Sequence, residues 1–322
     1  MRDRLNFTVT PRQFRIAAYA TLAALTVIVF SGAGVRLTDS GLGCENWPKC
    51  GGTPLPPLST HALIEFGNRV VGFLVGILTI GTFVMALRRR PFRRDLVWLS
   101  VLLPLGVLAQ AVLGGLTVLN HLAPGFVISH FALSLVILIA AFALAWRSYH
   151  EPGSRPRSTD RVSVWSVRAL APFAALTIVA GSVASAAGPH GGGFTGQVVH
   201  RLDFKGADTL TWAVHQHATI AALFGVAVIG VWFLRRRRGA TGAELEPLTV
   251  LGVLLAAQGL VGSVQYELHL PAEMVWVHVC LATITWLAVL WAWATEGSLV
   301  PRRVAVTSGD SSSVTQRKLE AV

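Results

Sequence analysis

Charge is what this sequence has least of. Of its 322 residues 13% are charged and 53% hydrophobic, with a mean hydropathy of +0.58. A soluble domain carries about a quarter charged residues, so that class is excluded. The apolar runs also lack an alternating pattern and outrun barrel strands, which excludes a membrane β-barrel. No signal-type segment opens the chain. Its first apolar run is too long for one and follows 15 residues with four arginines, so it is expected to stay as a helix. Cysteine is scarce too, at three residues.

What is present is apolar length. Eight stretches can each span about 30 Å of hydrocarbon as a helix: roughly 16–35, 61–87, 95–117, 124–146, 164–187, 210–234, 246–265 and 272–294. The expected fold is therefore an all-α polytopic membrane protein. A net charge of +11 invites a nucleic-acid reading, but the distribution of the 27 Lys and Arg argues against it. Twenty-two fall in the N-terminal tail, 88–94, 147–168, 235–238 and the C-terminal tail, which are alternate loops. By the positive-inside rule both termini face the cytoplasm, and the basic face meets anionic lipid rather than nucleic acid. The polar, Ser-rich tail is expected to be disordered.

The chain repeats itself. AQAVLGGLTVLNHLAPGFVISHFAL (109–133) over AQGLVGSVQYELHLPAEMVWVHVCL (257–281) matches Ala109, Gln110, Gly114, His121, Leu122, Val127, His130 and Leu133 to identical residues at a constant shift of 148. Earlier, AALTV (23–27) matches AALTI (174–178), with Ser31 over Ser182. Two four-helix bundles follow, 1–150 and 164–295, joined by a linker at 151–163 and followed by a tail from 296. An even number of spans per half makes the repeat parallel, which disfavours an inverted-repeat transporter.

Seven histidines, His61, His121, His130, His215, His217, His269 and His278, gather at the outer helix ends. His121 and His269 sit in short outer loops and read as solvated rim residues. His130 and His278 lie about six residues into helices 4 and 8, and His217 lies at a similar depth in helix 6. Aligning Gly76 with Gly225 makes Asn68 the counterpart of His217. Paired histidines on facing helices of a bundle are the ordinary way to hold a haem iron, and their recurrence in a repeat favours ligation over isolated core histidines. Zinc is disfavoured, because no cysteine or third clustered histidine accompanies them.

Cys44 and Cys50 lie six apart in the first outer loop, on the oxidising side, where a disulfide is expected either to close the loop or to exchange electrons. Cys280 reads as core packing. Glu65, near the start of helix 2, has two readings. One is an i,i+4 ion pair with Arg69; the other is a carboxylate facing a substrate, accepting a proton, orienting water or stabilising developing charge. Arg36, Arg69, Arg201 and Lys205 at the outer rim suit haem propionates.

GVRLTDSGLGCENWPKCGG (34–52), IEFGNRVVG (64–72), the histidines of helices 4 and 8 and the doubled plan together resemble the haem A synthase family of cytochrome oxidase assembly, over about residues 15–295. The resemblance implies a membrane oxidoreductase that converts haem O to haem A by oxidising a ring methyl to a formyl group. It implies haem b iron held by His217 and His278, substrate haem on His130, Glu65 as the catalytic glutamate, and Cys44 and Cys50 as a redox pair. It also implies haem O delivered by haem O synthase and an unidentified electron-transfer partner, in the cell membrane. Residues 188–209 hold no cysteine pair, so a two-disulfide variant is excluded.

Asn68 departs from the family, many of whose members have histidine there, and an amide oxygen is a poor haem ligand. Three readings stay open: His130 binds alone and leaves a coordination position free, His61 contributes two turns up the helix, or Asn68 hydrogen-bonds a water or an iron-bound species. The first is favoured, because an open position suits substrate exchange. The alternative function is an electron-carrying b-type cytochrome. It would use its histidines symmetrically, and nothing like Glu65 precedes His217 in TWAVHQH.

Overall fold

The computed structural model describes residues 7–44, 46–51, 55–154 and 157–299. Among the described residues there are eight α-helices: α1 Pro11–Leu37, α2 Thr60–Arg88, α3 Arg94–Leu119, α4 Pro124–Tyr149, α5 Arg161–Ala187, α6 Thr209–Arg237, α7 Gly242–Glu267 and α8 Ala272–Thr295. All are long and apolar enough to cross a membrane, and this is a multi-pass membrane protein. Large apolar side chains face outward, among them Phe73, Leu108, Val226 and Leu260 at 61–69% exposure, as a lipid-facing surface requires.

Several helices run further than their apolar stretches because polar caps lie outside the hydrocarbon. Thr10 and Gln13 form a capping box that starts α1, with Pro11 in its first turn. Asp160 accepts from the Ser163 N–H and starts α5 at Arg161, three residues before the apolar pattern. Arg238 forks onto the same carboxylate at 2.7 and 2.8 Å. The Arg238 and Ser163 hydrogen bonds hold the Asp160 carboxyl well below the usual carboxylate range. That contribution to stability is complete above about pH 4 and is lost only as pH falls through the depressed value.

Each half is a closed ring. α1 packs on α2 and α4, and α3 packs on both; α5 packs on α6 and α8, and α7 packs on both. The halves meet where α1 touches α8, α4 touches α5, and α4 touches α8. Exchanging the halves maps this set of contacts onto itself, as expected for two equivalent bundles about a pseudo-two-fold axis. Indole donors cross the seam, Trp276 Nε1 to the Phe30 carbonyl at 2.9 Å and Trp286 Nε1 to the Leu135 carbonyl at 3.1 Å.

The repeat extends to the backbone of the tight turns. His121 and Leu122, between α3 and α4, have φ of 49° and 57°, and their counterparts His269 and Leu270 have 62° and 64°. Two consecutive non-glycine residues in the left-handed region cost about 1–2 kcal/mol each. The Leu122 N–H to Thr117 and Leu270 N–H to Gln265 bonds, at 2.9 and 2.7 Å, offset part of that cost. The rim position of His121 and His269 therefore has a structural reason, which is the turn itself.

Two features of the basic end differ from expectation. Residues Arg157–Ser158 (β1) of the linker pair in parallel with Ser298–Leu299 (β2) after α8, so Glu296–Leu299, assigned above to a disordered tail, belong to the fold. Glu296 is buried against Arg235 at 2.9 Å, and Arg168 donates to the Gly297 carbonyl. Residues 300–322 of the expected tail lie outside the described residues.

Candidate functional site

The C-terminal half brings His217 of α6 and His278 of α8 together, with ring centres 6.2 Å apart and nearly perpendicular planes. A single metal ion bonded to two imidazole nitrogens at about 2 Å each places the ring centres about 6 Å apart. His217 Nδ1 lies 3.1 Å from the Thr177 carbonyl of α5, which fixes Nδ1 as donor and leaves the Nε2 lone pair free. His278 Nδ1 is buried without a partner. Among the described residues no group of three or more His, Cys, Asp or Glu converges. The donor set, two imidazoles 6.2 Å apart in an apolar bundle, fits a haem iron.

The remaining helices make room for these rings. A Cβ on Gly181 of α5 would stand 2.9 Å from His217 Cε1, and one on Gly262 of α7 would stand 3.2 Å from His278 Cε1. Gln258 of α7 donates to the His278 carbonyl. Gly181→Ala must displace the His217 imidazole, so it is expected to cut severalfold the binding of any haem held by His217 and His278. An absorbance spectrum with extracted-haem quantitation of the purified variant checks this.

The N-terminal half repeats the frame with one part exchanged. Gly114 of α3 faces His130 Cε1 at 3.1 Å, and Gln110 donates to the His130 carbonyl at 3.0 Å, matching Gly262 and Gln258. His130 Nδ1 is buried and unpartnered, as His278 Nδ1 is. Where His217 stands in the second half, Asn68 stands in the first, its Oδ1 accepting from Ser31 Oγ of α1 at 2.7 Å. α1 and α5 thus meet equivalent positions differently: the Thr177 carbonyl of α5 accepts from an imidazole, and the Ser31 hydroxyl of α1 donates to an amide oxygen.

Glu65 is 5% exposed, and both its oxygens are engaged. Arg69 Nη2 donates to Oε1 at 2.5 Å, and the Cys44 N–H donates to Oε2 at 2.6 Å. Arg69 also donates to the carbonyls of Cys44, Asn46 and Lys49. The ion pair read from i,i+4 spacing thus forms, and the first loop wraps around it. Cys44 and Cys50 are joined as a disulfide within that loop, both buried. Gly43 permits the wrap, since any Cβ there would overlap the His61 carbonyl.

Other candidate residues are placed elsewhere. His61 stacks on Phe194 of the α5–α6 loop at 4.9 Å and contacts Ser40 Oγ through Nδ1. Lys205 lies over the Trp212 ring. Arg36 reaches across to Ser185 at the end of α5. Arg201 lies in the α5–α6 loop, where burial lowers its guanidinium from the usual range against the pull of Asp39. An open cleft of about 900 Å³ between that loop and the α7–α8 turn includes Arg201 and His269 but neither His217 nor His278.

Residues 15–290 match the sequence model of the COX15-CtaA family, described as cytochrome oxidase assembly protein. The chain belongs to that family. Among curated relatives it is 28% identical over 316 residues to a "Heme A synthase" of a Caulobacter species, covering 79% of this chain and 88% of the relative. It is 36% identical over 134 residues to a "Heme A synthase" of Symbiobacterium thermophilum, covering 41% of this chain and 43% of that protein. A "Protoheme IX farnesyltransferase" of Haloarcula marismortui is 31% identical over 147 residues, covering 44% of this chain and 30% of that protein. The chain thus matches less than half the length of the latter two relatives.

Family membership does not itself identify the supporting residues that the geometry adds: Ser31, Thr177, Gly181, Ser185 and the Gln110–Gln258 pair. The glutamines and Ser31 had a signal, because each coincides with an identical residue in the repeat. Thr177 acts through its carbonyl and Ser185 through a contact 149 residues away, and side-chain identity announces neither.

Proposed function

We propose that the chain is a haem A synthase: an oxidoreductase that takes haem O and oxidises a ring methyl to a formyl group. His217 and His278 hold haem b in the C-terminal half, and His130 holds the substrate haem in the N-terminal half. The single observation that carries this reading is the exchange of His217 for Asn68 within an otherwise repeated Gly–Gln–His frame. One half is built for stable bis-histidine ligation and the other for a macrocycle that must come and go.

Haem b held by His217 and His278 would supply one-electron redox chemistry. Written with water as the oxygen source, oxidation of a methyl to a formyl group releases four electrons, which leave to the electron-transfer partner, and four protons, for which an apolar site needs a base. Glu65 is that base. Arg69 orients its Oε1, and the Cys44 amide orients Oε2, so a proton arriving on Glu65 weakens two charge-assisted bonds. Cys44–Cys50 sits against the same carboxylate, where a disulfide can take up electrons. Asn68, its oxygen held by Ser31, has N–H donors to offer at the position that the repeat pairs with His217. The basic helix ends face the cytoplasm, which puts this machinery and the first loop on the outer side. Haem O synthase upstream delivers the substrate, and a separate electron-transfer partner completes turnover.

Protein purified from cells that also make haem O tests the reading. Acid–acetone extraction should recover haem B together with haem O or haem A. Haem B alone, in both halves, would support an electron-carrying b-type cytochrome instead.

A further inference from the structure

Two arginines at the seam between the halves have more donors than partners. Arg36 closes α1, Arg201 lies in the α5–α6 loop, and both line one small cavity with Leu122, Pro124, Val127 and His200. Arg36 donates to Ser185 Oγ at 2.7 Å and to the Ser185 carbonyl at 2.9 Å, yet its Nε is buried with no partner. Arg201 Nη2 is buried and unpartnered as well. Glycines let the loop close on both: a Cβ on Gly191 would stand 3.1 Å from Arg201 Nη1, and one on Gly192, at φ +93°, would stand 3.2 Å from Arg36 Cγ. Among the described residues neither guanidinium forms a salt bridge, and Asp39 acts on Arg201 only from longer range.

Two half-buried guanidiniums on one cavity, each with a buried N–H that no protein group meets, favour an anion that completes them. Unused N–H groups on both mark where it sits. We propose that Arg36 and Arg201 clamp one carboxylate across the seam, and that it is a propionate of a haem held in the bundle. This rests on reading the histidines as haem ligands. A guanidinium fork suits a carboxylate, and the cavity, at about 10 Å³, admits the end of one small polar group and no part of a macrocycle. Pro124 and Val127, which line it, open the helix that carries His130, six residues on from Pro124 and about 9 Å along the axis. Because one arginine comes from each half, occupancy by a propionate would also fasten the halves together.

The test compares hemin with hemin dimethyl ester, titrated by absorbance into the full-length protein prepared from haem-limited cells. The wild type should bind the free acid about 10- to 100-fold more tightly than the ester. Arg36→Gln and Arg201→Gln should each abolish most of that preference and leave ester affinity within about threefold, with Arg36→Lys intermediate. Equal weakening of acid and ester would make Arg36 a mere tie between the halves and overturn the proposal. So would an undiminished preference in both variants. Displacement of inorganic phosphate or co-purified anionic phospholipid from the wild type but not the variants, without any acid–ester preference, would reassign the site to a free phosphate or a lipid headgroup. Failure of the wild type to bind either pigment would overturn the haem reading itself, and this proposal with it.

Discussion

Asn68→His should turn the N-terminal half into a copy of the C-terminal one. The frame is already there: Gly114 and Gln110 place His130 as Gly262 and Gln258 place His278. Supplying a second imidazole at the position equivalent to His217 should fill the remaining coordination position and convert that haem to a six-coordinate, low-spin state. Pigment retention through purification should rise, and turnover should fall by about tenfold or more, since an exchange-resistant ligand opposes both substrate entry and product release. Electron paramagnetic resonance counts the low-spin centres, and haem A formation reports turnover. An unchanged spin state with unchanged activity would mean that Asn68 does not stand opposite His130. Ser31→Ala probes the same position more gently: freeing the amide should lower turnover without creating a new low-spin signal.

Glu65→Gln is the second large effect. The amide keeps the shape of the carboxylate but cannot take a proton, and general acid–base catalysis is worth about 10²- to 10⁴-fold. Haem A formation should fall by that factor while haem b content stays at the wild-type level, because His217 and His278 lie in the other half. The substitution also replaces a buried charge pair with Arg69 by a neutral contact, which leaves an uncompensated guanidinium beside the first loop. A modest fall in thermal stability should accompany the kinetic loss, and Glu65→Asp separates the two. It restores charge at shorter reach, so stability should recover more fully than rate.

The helices and the repeat were legible in the sequence because each depends on local periodicity or on a constant shift. Asn68 against His217 was legible for the same reason: one substitution in a repeated frame is visible without coordinates. Contacts between distant segments were not. Nothing local shows that the first loop folds back on Glu65, that Arg69 uses its donors on loop carbonyls, or that Phe194 stacks on His61 from the other half. Helix ends were missed in the same direction each time, since Thr10, Asp160 and Thr241 cap their helices in polar surroundings that hydropathy does not count. The short β1–β2 pairing joins the linker to the segment after α8 by backbone bonds, which composition does not mark.

The central claim is that the two halves hold haem for different purposes. The most direct measurement is haem speciation in His217→Ala and His130→Ala, each produced alongside haem O synthase, extracted and resolved chromatographically. The account predicts that His217→Ala loses haem B and keeps haem O or haem A, and that His130→Ala does the reverse. Loss of the same pigments in the same proportions from both variants would contradict it.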